Sequence, residues 1–385
     1  MDRWNWEQPD WPHFRWDASR LAEKERKFHN SGGVLIGTVG HLGSAHRESL
    51  YVECISGEAV TTSEIEGELL DRASVQSSLR RKLGLASDNR RVGPKEDGIA
   101  QLMLDLFANF LEPLSHETLH SWHRKLLPGR ADVAVGEYRS GSEPMEIISG
   151  AIGKERVHFV APPSATLPAE TDRFLDWFNR TSWDGPEPLP ALTRAGIAHL
   201  YFESIHPYED GNGRIGRAIA EKALAQGLRH PTLTALSTTI LARRKEYYRE
   251  LELASKTTEI TQWLAWFADV TLEAQQRTIQ LADFLVGKSH LLDRLRGALN
   301  DRQEKALLRL LREGPDGFEG GLSAGNYATI TGASPATATR DLADLVEKGA
   351  LTRTGERRHA RYFAALPSPE PIGFAALAAG SFAAQ

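Results

Sequence analysis

Residues 206–217, His-Pro-Tyr-Glu-Asp-Gly-Asn-Gly-Arg-Ile-Gly-Arg, put a hard break into a chain that otherwise favours helix. Pro207 cannot continue a helix, and Gly211 and Gly213 favour a turn, so a helix expected over Leu189–Ile205 must stop here. An alanine-rich, periodic run restarts the helix at about Arg214. The N–H groups of the turn then stand at a helix N-terminus, where donors lack partners and the dipole favours anions. Arg214 and Arg217 are three residues apart and can face one anion. Asp210 precedes the N–H cluster, where a carboxylate can hold a magnesium ion against phosphates. His206 lies across the turn as a candidate base. A turn that served only to cap and solvate two helices would need neither the histidine nor both arginines.

On these residues the segment resembles the signature of the Fic (filamentation-induced-by-cAMP) family, His-x-Phe-x-(Asp/Glu)-Gly-Asn-Gly-Arg-x-x-Arg. Tyr208 stands where that family usually has Phe, an aromatic exchange that keeps the packing role. The resemblance implies a mainly α-helical core that transfers AMP from ATP to Ser, Thr or Tyr hydroxyls of target proteins and of itself. In it His206 would take the hydroxyl proton and Asp210 would hold Mg2+. Gly211, Asn212, Gly213 and Arg214 would hold the phosphates, and Arg217 the far end of the triphosphate. Transfer of another nucleotide or phosphate group, or removal of AMP, is the alternative within the family. The full Gly-x-x-x-x-Gly-Lys-Ser/Thr phosphate loop does not occur, so none competes for the nucleotide.

Two further segments resemble parts of the same family. Thr62, Glu66 and Gly67 fit its inhibitory motif, (Ser/Thr)-x-x-x-Glu-(Gly/Asn). A carboxylate beside Arg217 would form a charge-assisted pair and occupy the donors that orient the γ-phosphate. The bland reading leaves Glu66 on the solvated face of an acidic helix. Downstream, Arg244–Leu251 resembles the helix that lines the base pocket, which assigns Tyr248, Leu251 and Ser255 to the adenine. The family often has Asn where Ser255 stands, and residues at this spacing also serve as plain core.

The 385 residues allow two or three domains, and a net charge of −5 argues against a general nucleic-acid coat. Cys54 is the only cysteine, so no intrachain disulfide can form. No signal-peptide core and no run of roughly 20 apolar residues is present, which points to a cytoplasmic protein without a membrane span. The expected organisation is an N-terminal helical domain over 1–98, a catalytic core over 99–285, a helical connector and winged helix over 286–367, and an unstructured tail over 368–385. Trp4, Trp6, Trp11 and Trp16 suggest either an arm plugging rings into the body or a small core of their own, and this opening resembles a domain often fused to Fic modules. Helices are expected over Leu21–His29 and from Ser44 onward, with a turn at Gly32-Gly33, and Gly84–Gly98 reads as a linker.

Met145–Ser149 and Arg156–Val160 read as two short strands. By the resemblance, Ile147–Val160 would be a flap on which the target segment docks by strand addition. His116-Glu-Thr-Leu-His120, with His123 one turn on, fits a zinc-binding pattern but lacks a third ligand at the usual spacing. Ser115 is its expected cap, and Leu114, Leu119, Leu126 and Leu127 its buried side. Toward the C-terminus, helices over Arg302–Leu311, Ala324–Thr331 and Ala336–Lys348, capped by Ser334-Pro335, precede a wing over Leu351–Phe363 bearing Arg353, Arg357, Arg358 and Arg361. Thr337, Thr339 and Arg340 could then approach DNA bases, against which stand Asp341 and Asp344 on the same helix. A DNA-binding regulator with a Fic sensor core is thus the rival function. Protein contact through the wing, including a homodimer, is the third.

Overall fold

The computed structural model describes residues 4–149, 156–232, 234–315, 317–318, 320–356 and 359–366. It is mainly helical. The first helices are α1 (Ser19–His41), α2 (Ser44–Ile65), α3 (Arg72–Lys82), α4 (Pro94–Ala108) and α5 (His116–Leu126). An antiparallel hairpin, β1 (Glu146–Ser149) and β2 (Arg156–Val160), follows, and then α6 (Leu167–Arg180). Next come α7 (Ala191–Ile205), α8 (Asn212–Leu228), α9 (Leu236–Ala242), α10 (Arg244–Ala254) and α11 (Thr261–Arg294). The chain closes with α12 (Asp301–Leu311), α13 (Ala324–Thr331), α14 (Pro335–Glu347) and a second hairpin, β3 (Leu351–Thr354) with β4 (Arg361–Ala364). No helix among the described residues is long and apolar enough to cross a membrane.

The chain divides into two compact units, 1–37 with 51–278, and 38–50 with 279–385. In the first, α7 is buried along its whole length, and α8 packs against it. Phe174, Phe178, Tyr201, Phe202, Ile215 and Trp263 belong to the surrounding core. The N-terminal arm plugs its rings into this body, the first of the two readings of its tryptophans. Trp11 is buried edge-on against Tyr201 and donates to Glu170, while Trp6 donates to the Val160 carbonyl and Trp4 meets Phe159 edge-on. The arm therefore braces β2 as well as filling the core.

In the second unit α12, α13, α14 and the hairpin follow in the expected order around Leu307, Tyr327, Leu342 and Leu351. Ser323 and Ser334 cap α13 and α14 by accepting from Asn326 and Thr337 N–H groups. Asp341 turns inward, where Arg302 and Tyr327 bond its carboxylate, and Asp344 bonds Gln303 and Lys348. Thr339 and Arg340 are exposed. Arg357, Arg358, the 368–385 tail and the 150–155 tip of the first hairpin lie outside the described residues.

Several boundaries differ from expectation. α1 runs straight through Gly32-Gly33, because two glycines cost about 1 kcal/mol each and the buried Phe28 and Leu35 anchor the helix on either side. The linker after α3 ends at Gly93: Pro94 starts α4 with its φ already set, and Glu96 and Asp97 suit the first turn. Gly98 lies inside α4, where a side chain would overlap the Lys125 carbonyl of α5. α7 starts at Ala191 rather than Leu189, and α8 starts at Asn212, two residues before Arg214.

Candidate active site

α7 ends at His206, which takes the left-handed conformation, φ 48° and ψ 60°. This is uncommon for a residue other than glycine and stores strain unless its neighbours hold it. Here the holder is Arg139, whose Nε donates to the His206 carbonyl at 2.8 Å and whose Nη2 donates to the Pro162 carbonyl at 2.6 Å. The Arg139 N–H also bonds the Pro207 carbonyl at 3.0 Å. Burial, helped by the Arg139 charge, holds the His206 imidazole down to about 4, so the ring is neutral at pH 7.

The loop is braced from within. The Asn212 side chain accepts from the Tyr208 N–H at 3.0 Å and donates to the Tyr208 carbonyl at 2.7 Å. Asn212 thus spends its side chain on the turn and leaves its position in the first turn of α8 to serve through the backbone. Gly211, at φ 85°, supplies the left-handed step into that turn. Tyr208 is fully buried, stacked on His123 at 4.1 Å, with its hydroxyl 3.1 Å from His120 Nδ1. His123 Nδ1 accepts from the Gly136 N–H, so its Nε2 carries the proton and donates to the Asp210 carbonyl at 3.0 Å.

This accounts for the histidines of the zinc-like pattern. His116 bonds the Tyr138 hydroxyl and Asp172, and all three imidazoles serve the loop or the surface. Among the described residues no group of three or more ligand side chains is gathered for a metal. Ser115 caps the helix as expected, and Leu114, Leu119, Leu126 and Leu127 are buried.

Arg214 and Arg217 meet separate carboxylates of the segment that ends α2, rather than one shared anion. Arg217, 2% exposed, donates from Nη2 to Glu66 Oε1 at 2.7 Å. The Thr62 hydroxyl and carbonyl accept its Nε and Nη2 at 2.8 and 2.9 Å. The pair with Glu66 is therefore made through one guanidinium nitrogen, Thr62 takes Nε and shares Nη2, and Nη1 is buried without a hydrogen-bond partner among the described residues. Glu66 lies against Gly213, where any side chain would overlap its carboxylate. Gly67, at φ 83°, turns the chain so that Glu68 reaches Arg214 Nη1 at 2.6 Å, with Lys95 at 2.6 Å on its other oxygen. Sequence reasoning missed Glu68: one acidic residue among several in a polar stretch carries no periodic signal.

Asp210 faces Arg130 at 3.0 Å and Arg214 at 3.4 Å, with its carboxylate partly exposed. A single accessible carboxylate beside a helix N-terminus and two arginines suits magnesium, which binds through one or two carboxylates and substrate phosphates.

A cavity of about 910 Å³ adjoins these residues, large enough for a nucleotide, lined among others by His206, Gly211, Gly213, Leu200, Phe159 and Glu66. Tyr248, Leu251 and Ser255 line it too. The Tyr248 hydroxyl donates to the Ile65 carbonyl at 3.3 Å, and the Ser255 hydroxyl donates to Glu252 O at 2.9 Å. Ile147 and Ile148 of β1 reach the cavity, with Ile148 and Val157 exposed. Glu252 on α10 fastens β2 by accepting from Arg156 at 2.6 Å and pairing with His158 at 2.8 Å.

Fold and site together define a class: a mainly helical core whose two central helices meet at a loop carrying a base, a carboxylate and two arginines beside a β-hairpin. Residues 113–224 match the model of the Fic/DOC family, and residues 4–85 match a domain of unknown function, DUF4172. The protein adenylyltransferase fic-1 of Caenorhabditis briggsae is 24% identical over 198 residues, 50% of this chain and 35% of that protein. The protein adenylyltransferase Fic of Drosophila willistoni is 25% identical over 211 residues, 54% of this chain and 38% of that protein. The chain thus spans little more than a third of the length of these relatives. The fold is shared with a Fic family protein from Desulfovibrio desulfuricans, at TM-score 0.54 and 20% identity over 92% of this chain and 98% of that one. A Fic domain containing signaling protein from Bacteroides thetaiotaomicron gives 0.51 and 18% over 67% and 95%. Residues 113–224, which carry the loop and both arginines, thus form a Fic/DOC-family domain.

Proposed function

We propose that this protein transfers AMP from ATP to a hydroxyl of a protein segment and is held inactive by Glu66. The carrying observation is the Glu66–Arg217 contact at the cavity where His206 and the first turn of α8 meet. In the reaction, His206 accepts the hydroxyl proton as the oxygen attacks the α-phosphorus and pyrophosphate departs. The amides of Gly211, Asn212 and Gly213 and the side chain of Arg214 bind phosphate oxygens, and Arg217 orients the γ-phosphate once Glu66 is gone. Asp210 would hold Mg2+, which when bound neutralises phosphate charge. Tyr248, Leu251 and Ser255 enclose the base. The segment to be modified pairs along the hairpin Ile147–Val160, of which the described strands offer exposed apolar side chains at Ile148 and Val157. The names of the relatives, protein adenylyltransferases, agree with this reading.

The test is intact mass after incubation with Mg-ATP. The Glu66→Gly chain should gain AMP, the wild type little, and Glu66→Gly with His206→Ala none. An unmodified Glu66→Gly chain that binds ATP in calorimetry would refute the reading. Parallel incubation with CTP, GTP and UTP decides the nucleotide.

A second reading concerns α14. With Asp341 turned inward, the objection that its charge repels DNA weakens, and Thr339 and Arg340 remain exposed. DNA contact by this unit predicts a salt-dependent mobility shift by the full chain, and no shift at low salt leaves protein contact as the role.

A further inference from the structure

Trp4, Asn5 and Trp6 open the stretch that matches DUF4172, and they touch three elements that line the cavity of about 910 Å³. Leu200 and Ser204 of α7, Leu251 and Ser255 at the close of α10, and Phe159 of β2 all face that cavity. α10 ends without a left-handed glycine to satisfy its last carbonyls, since Ser255 stands at its C-cap with φ −69°. The arm supplies the missing donors. The Asn5 N–H donates to the Ser255 carbonyl at 2.7 Å, and Gln8 Nε2 donates to the Lys256 carbonyl at 2.7 Å.

The same asparagine reaches α7. Its Nδ2 donates to the Ser204 hydroxyl at 2.8 Å, and that hydroxyl donates in turn to the Leu200 carbonyl at 2.8 Å. Asn5 is fully buried, its Oδ1 accepts from the Trp6 N–H, and its carbonyl accepts from the Gln8 N–H. Each of its polar atoms therefore has a partner. A buried polar group satisfied in this way fixes one arrangement, because any other leaves it unpaired in a low dielectric. On either side, Trp6 Nε1 donates to the Val160 carbonyl at 2.7 Å and the Trp4 ring meets Phe159 edge-on at 5.3 Å.

The geometry points to Asn5 as a positioning residue for the nucleotide base: it ties α7 to the end of α10 and so fixes the spacing between Leu200 and Ser204 on one side and Leu251 and Ser255 on the other. This rests on the proposed binding of ATP in the cavity, and it gives the first residues of the N-terminal domain a part in that site. A base is a rigid plate, and a slot already at the right width binds it without the cost of ordering the walls. The triphosphate is served elsewhere, by the first turn of α8 with Arg214 and Arg217. Among the described residues, none of the arm bonds to that turn. Loss of the tie therefore acts on ligands that carry a base and spares the phosphate chain alone.

The test is isothermal titration of the full Glu66→Gly chain with Mg-ATP and with Mg-tripolyphosphate, in Asn5→Ala, Ser204→Ala and the double variant, each with a melting curve. Asn5→Ala should weaken ATP about fivefold and leave tripolyphosphate within about twofold. Ser204→Ala breaks the same hydrogen bond from its other end, so the double variant should lose no more than the larger single loss. Equal weakening of both ligands, an unchanged ATP affinity, or additive losses would overturn the proposal. Should Asn5→Ala lose its cooperative melting transition, Ser204→Ala carries the same comparison. A Glu66→Gly chain that binds ATP yet transfers no AMP refutes the transfer reaction, and the titrations still decide the role of Asn5. A chain that binds neither ligand refutes both.

Discussion

Glu68 gives the sharpest test of how the phosphate cradle is occupied. Its carboxylate accepts from Arg214 Nη1 at 2.6 Å, with the arginine side chain 5% exposed and the glutamate 21% exposed. In the proposed reaction ATP reaches Arg214 Nη1 only by displacing it. A charge-assisted hydrogen bond is worth about 1.5–3 kcal/mol, and partial exposure of Glu68 argues for the lower end. The second contact of Glu68, to the exposed Lys95, adds little. Glu68→Ala should therefore release about 1.5 kcal/mol of competition, tightening ATP about tenfold. Because Glu66 and Glu68 hold different arginines, Glu68→Ala should tighten binding further in a Glu66→Gly background. The assay is isothermal titration with Mg-ATP on wild type, both single variants and the double, with melting curves to check the fold. An unchanged or weaker affinity in Glu68→Ala would mean that Glu68 holds Arg214 ready for phosphate instead of blocking it.

Arg139→Ala should destabilise the fold by about 2–3 kcal/mol in denaturant unfolding, since two carbonyls lose a charged donor and His206 loses what holds it at positive φ; Arg139→Lys should not restore transfer in the Glu66→Gly chain, because an ammonium cannot reproduce the fork. A second prediction concerns the buried carboxylates Glu58 of α2 and Glu221 of α8. Burial raises both, and the Glu58 charge raises Glu221 further. The folded pair keeps a proton that the unfolded chain releases above about 4.5, so the stability it contributes is present at low pH and lost as pH rises through the folded values. Glu221→Gln cannot ionise, and its melting temperature should fall less than that of the wild type between pH 5 and pH 8.5. Parallel curves would refute the shared proton.

What was legible in the sequence was local. α13, the Ser334 cap of α14, both hairpins and the break at His206 follow from caps, breakers and periodicity within a few residues. The meeting of Glu66 with Arg217 was reachable only because both lie in recognisable motifs. Arg139, Glu68 and Glu252 find their partners 67, 146 and 96 residues away, and nothing near them in the chain signals the contact. The glycine pair at 32–33 predicts a turn within α1, because glycine pairs usually mark turns and only long-range burial outweighs their cost.

Glu66 and Arg217 belong to one chain, and that sets how the proposed restraint would be lifted. A tethered group faces its partner at a fixed effective concentration, in the millimolar range for short flexible connections, whatever the amount of protein present. Dilution or altered expression therefore leaves the equilibrium where it stands. To move a population from one part in a hundred open to ninety-nine, something must bind the open form about 10⁴-fold more tightly than the closed one. Gly67 offers the pivot, because it lies directly after Glu66 at φ 83° while Glu58, two turns back, keeps α2 fastened to Ser237. The agent sought should thus be one that grips the stretch from Glu66 to Leu70 in an altered course, with the body of α2 left in place.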